Sequence, residues 1–125
     1  MVQTDPAQLT AETAEWRQIL RNYRDEFQEC KKMLQDSARQ TAKDQLAELE
    51  HFDNQFHIQL INIHDLKQAI KQHEKRFAYE RAQGYNLSND TYAEHERLLD
   101  AFLVLENNLQ QLRGEFRDFV NATNC

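Results

Sequence analysis

Glycine occurs twice and proline once in this 125-residue chain, far below the roughly 7% and 5% of average usage. Tight turns, hairpins and short strand-to-helix loops depend on those two residues, so a sheet-rich fold is excluded and long helices are left. Cysteine is almost as scarce. Cys30 falls on an apolar stripe and Cys125 is the last residue, which rules out a disulfide framework. No stretch approaches the ~20 apolar residues that a membrane-spanning helix needs. The N-terminus also lacks a basic segment followed by an apolar one, the pattern of a signal peptide or anchor. The chain is therefore expected to be cytoplasmic, with no membrane partner.

Positive charge is also missing as a pattern. Fifteen basic residues against 21 acidic ones give a formal charge of −6, without the basic stripe that tracks phosphates, so nucleic acid is not an expected partner. There is no glycine-rich phosphate loop and no nucleophile elbow. An enzyme is not expected.

What is present is helix-forming composition with heptad order. From Trp16 the apolar residues fall at Leu20, Tyr23, Phe27, Cys30 and Leu34, alternating steps of four and three that keep one stripe on a helix. Thr4, Asp5 and Pro6 form a cap and first turn ahead of it, and residues 1–8 read as a frayed segment. The stripe lapses around Arg39–Gln40. It resumes through Leu46, Leu49, Phe52, Phe56, Leu60, Ile63, Leu66, Ile70, His73 and Phe77. Residues 83–90, which include Gly84, form the one clear loop, and Thr91 with Glu94 reads as a capping box. A third stripe follows, from Tyr92 through His95, Leu98, Phe102, Leu105, Leu109, Leu112 and Phe116 to Phe119.

The three stripes predict an all-α, coiled-coil-like bundle running up, down and up, with helices over about 7–36, 41–82 and 90–121 in a single domain spanning 1–125. Pairing each stripe antiparallel to the next puts Leu34 opposite Leu46, Phe27 opposite Phe52 and Trp16 opposite Ile63. It likewise puts Phe52 opposite Phe116, Ile63 opposite Leu105 and His73 opposite His95. Phe27, Phe52 and Phe116 would share one layer. The arrangement resembles the shape of a spectrin repeat, with Trp16 in the first helix, and the resemblance implies the fold alone. A first helix continuous to about Arg81 would place the same layers against a second chain, so a hairpin and a swapped dimer remain alternatives.

Two sets of residues stand outside this core logic. The first is histidine. His57 and His64 lie seven residues apart, roughly 10 Å along a helix, too far for one ion. His73 and His95 face each other across the second hairpin and are the candidate metal or small-ligand pair. Their neighbours one turn away, Ala69, Ile70, Tyr92 and Leu98 among them, offer no carboxylate or thiol to complete a closed site. No cofactor is expected. The same pair could instead form a pH-sensitive contact.

The second set is apolar side chains that the core does not use. Ile58 and Ile61 fall about 140° and 160° from Ile63, and Leu103 about 160° from Leu105 at 100° per residue. At the bundle tip, Phe77, Tyr79 and Tyr85 lie at or beyond the start of the first helix. Ile58, Ile61, Leu103, Phe77, Tyr79 and Tyr85 are thus the candidate interface. The expected function is a non-enzymatic helical protein acting through protein–protein contact, as a homodimer or with another helical protein. The alternative is a metal- or ligand-binding bundle using His73 and His95.

Overall fold

The computed structural model describes residues 5–38, 43–84 and 86–123. They form three helices, α1 (Pro6–Ala38), α2 (Lys43–Ala82) and α3 (Asn89–Thr123), arranged as the all-α three-helix bundle that the stripes predict. Among the described residues there is no strand, and no helix is long and apolar enough to cross a membrane. The first break, at Arg39–Gln40, lies outside the described residues. α1 nonetheless packs against α2 of the same chain.

Local chemistry sets the helix ends. The Asp5 carboxylate accepts a hydrogen bond from the Ala7 backbone N–H at 3.2 Å, and Pro6 takes the first helical position, where its missing N–H costs nothing. At the other hairpin Gly84 adopts φ +76°, the left-handed conformation that ends a helix with least strain in glycine. Its N–H donates to the Arg81 carbonyl at 3.0 Å.

α3 opens differently from the Thr91–Glu94 box. Ser88 is the cap, and its hydroxyl accepts the Thr91 backbone N–H at 3.2 Å. In a capping box a glutamate three residues on would reach back to the cap's own N–H. Thr91 stands at that position and is too short, so Glu80 of α2 takes the role, accepting the Ser88 N–H at 2.6 Å and the Thr91 hydroxyl. Glu94 turns instead to Arg97, whose Nε donates to it at 2.8 Å.

α2 packs closely along both neighbours, while α1 and α3, which run parallel, meet chiefly through long side chains. The core runs from Trp16, Leu20 and Ile70 to Leu34, Leu49 and Phe116, with Cys30, Leu46, Leu60, Leu66 and Phe119 half-buried at its margins. The aromatic layer is shifted from the expected register. Phe27 sets its ring against Phe56 at 4.9 Å, one helical turn from Phe52. Phe56 meets Phe116 edge-to-face at 5.0 Å, and Phe52 contacts both Phe116 at 5.4 Å and Phe119 at 5.0 Å. Each large ring is a knob seated among several residues of the facing helix, so α1 slides along α2 by about a turn relative to a strict layer-by-layer pairing. A second cluster closes the tip, where Leu9, Phe77 and Leu87 are buried with Tyr92 against them.

Candidate functional site

The slide of α1 builds the polar site. His73 and His95 are 3% and 5% exposed, and His73 Nε2 lies 3.0 Å from His95 Nδ1, so the two rings are joined by a hydrogen bond across the α2–α3 interface. Because α1 is displaced, its Glu12–Trp16 turn arrives at this level. Trp16 covers His95 with ring centroids 4.8 Å apart, and a Glu12 carboxylate oxygen stands 3.7 Å from His95 Nε2. Phe77 meets the His73 ring edge-to-face at 5.1 Å.

The arrangement selects a tautomer. A carboxylate beside His95 Nε2 favours a proton there, which leaves His95 Nδ1 as the acceptor and His73 Nε2–H as the donor. His73 Nδ1 is then a buried lone pair; among the described residues neither it nor His95 Nε2 has a partner within hydrogen-bond distance. Burial is the main cause holding the His73 imidazole below its ordinary pKa. The facing His95 and Arg76 add to the effect, and Glu94 and Glu74 oppose it. Burial also lowers His95, against the pull of Glu12 and Glu96.

The donor set is ill suited to a metal ion. The two facing nitrogens are spent on each other, and Glu12 approaches the far side of the His95 ring, so the three groups do not converge on one point. No cluster of three or more histidine, cysteine, aspartate or glutamate side chains able to hold a metal occurs among the described residues. His51, His57 and His64 are exposed on α2.

The apolar candidates separate into two groups. Ile58 is 40% exposed, Ile61 47% and Leu103 52%, and Val104, which lies off the apolar stripe of α3, reaches 63%. Tyr79 is exposed at the tip, and Met33 is exposed on α1. Phe77 is not part of any open surface: it is buried between Leu9 and Leu87, because α1 reaches far enough to cover it. Tyr85 lies outside the described residues. Val104 is four residues from Asn108 and seven from Gln111, so it shares their flank of α3. Those two residues, with Gln55, Gln59, Leu112 and Glu115, line a shallow groove of about 180 Å³ between α2 and α3. The spacing of four and seven residues from Asn108 and Gln111 is the signal that places Val104 on this flank.

Glu12 was hidden for a different reason. It lies off the apolar stripe, and only the shifted register brings it to the histidines. No protein-family model, curated protein or solved structure matches the chain.

Proposed function

We propose that this protein works by contact rather than catalysis, joining a second copy of itself through the outer surface of α2 and α3. The observation that carries the reading is the group of large apolar side chains at mid-bundle, Ile58, Ile61, Leu103 and Val104, each 40–63% exposed. Single exposed apolar residues are ordinary, whereas several on adjoining helices suit an interface. The groove between α2 and α3, on the flank of α3 that Val104 shares, favours a second copy. Its amides, Gln55, Gln59, Asn108 and Gln111, each carry donors and acceptors, so the surface can pair with its own image about a twofold axis.

Light scattering on the full chain tests the reading. The wild type is expected to show a concentration-dependent dimer, and Ile58→Glu with Ile61→Glu a monomer of unchanged helicity. A wild type that stays monomeric at high concentration overturns it.

A further inference from the structure

The histidine level offers a second property, independent of the outer surface. Two buried histidines meet here, and this level joins all three helices through two imidazoles, an indole and a carboxylate. The carboxylate beside His95 Nε2 favours one arrangement of the neutral pair. With His73 Nε2–H donating to His95 Nδ1, an added proton has just one empty nitrogen to occupy, His73 Nδ1. There the new N–H points into a buried space without an acceptor among the described residues. A second proton would go to His95 Nδ1, making both facing nitrogens donors and breaking the 3.0 Å bond.

We propose that the His73–His95 pair is a proton-operated latch that holds the tip of the bundle shut while both rings are neutral and lets the first turns of α1 lift as the pair takes up protons. The charged groups around it come from all three helices. Glu12 approaches from α1, Glu74 and Arg76 lie on the α2 side, and Glu94 and Glu96 lie on α3. The carboxylates draw a proton in, and three are already engaged or distant: Glu74 is tied to Arg17 at 2.8 Å, Glu94 to Arg97, and Glu12 stands 3.7 Å off. Burial opposes the charge, and the lowered pKa of both rings accords with its winning. The sign follows. The unfolded chain binds protons near the ordinary histidine value of about 6.5, and the folded pair binds them at lower pH. The pair's contribution is therefore complete above that value and falls away below it.

Amide hydrogen exchange on the full chain at pH 7.5 and 5.5, corrected for intrinsic rates, reads the latch directly. Amides of residues 9–20 and 91–98 are expected to lose at least tenfold in protection at the lower pH, while those around Phe27, Phe56 and Phe116 keep theirs. In the His73→Leu/His95→Leu double variant, which replaces both polar partners together and leaves neither orphaned, the pH effect should vanish. Nitrogen-15 spectra of the imidazoles provide a readout that needs no variant, and should show both rings neutral at pH 6.5. Unchanged protection between the two pH values, a loss spread evenly over the bundle, a double variant with the wild-type response, or rings already charged at pH 6.5 would each overturn the proposal.

Discussion

Glu80 accepts the backbone N–H of Ser88 at 2.6 Å across the second hairpin, so a side chain near the end of one helix caps the start of the next. Burial of this carboxyl works to raise its pKa, and the bonds from Thr91 and Ser88, helped by the Arg76 charge, outweigh it and hold it below the ordinary carboxylate range. A folded-state pKa that is lowered means stability present above the unfolded carboxylate value and lost as pH falls through the folded one. Glu80→Ala should cost about 0.5–2 kcal/mol at pH 7, the usual range for a lost cap. Urea melts at pH 7 and pH 3 check both parts: the difference between wild type and variant should shrink at the acid end.

Gly114 gives the opposite sign. It lies inside α3, and a Cβ built there meets nothing within 4 Å, so no neighbouring helix needs the space. Gly114→Ala should therefore stabilise the fold by about 1 kcal/mol through helix propensity alone. A urea midpoint equal to or below that of the wild type counts against it.

Arg113 links α3 to α1 with a fork on Glu26, at 2.7 and 2.9 Å, and its guanidinium lies 4.6 Å from the centre of the Tyr23 ring. Both charged partners are 38% exposed, so solvent screens the pair. A double-mutant cycle of Arg113→Met with Glu26→Gln should give a coupling of about 0.5–1 kcal/mol that shrinks in 1 M salt. Arg113→Lys should lose most of it, since an ammonium offers neither the fork nor the flat face.

The two sides of α2 should respond differently to truncation. Phe56 is fully buried and touches Phe27 and Phe116, so Phe56→Ala should cost about 3–5 kcal/mol. Ile58→Ala, two residues away on the outer face, should change the stability of the isolated chain by less than about 0.5 kcal/mol. Thermal melts at low concentration separate the two.

Stripe periodicity was enough to define three helices and to place His73 opposite His95, because burial of one helix face follows directly from residue spacing. Gly84 marked its own turn for a similarly local reason. The contacts that escaped depend on how far one helix slides along another. Phe27 meets the Phe56 ring, one turn from Phe52, and the same displacement carries Glu12 and Trp16 to the histidines. The Glu80–Ser88 cap was equally invisible, since a capping partner supplied by another helix leaves no fixed spacing in the chain. The exposure of Ile58, Ile61 and Leu103 was legible from angle alone, whereas the covering of Phe77 again required the true reach of α1.

The parallel run of α1 and α3 has a mechanical consequence. Pro6 begins at the end where α2 turns into α3, and Thr123 finishes at the other, so the chain enters one end of a rod of roughly 50 Å and leaves by the far end. Tension applied through those two points would load the seams between helices in shear along their length instead of peeling them apart one contact at a time. The histidine level lies close to the point where that load would enter.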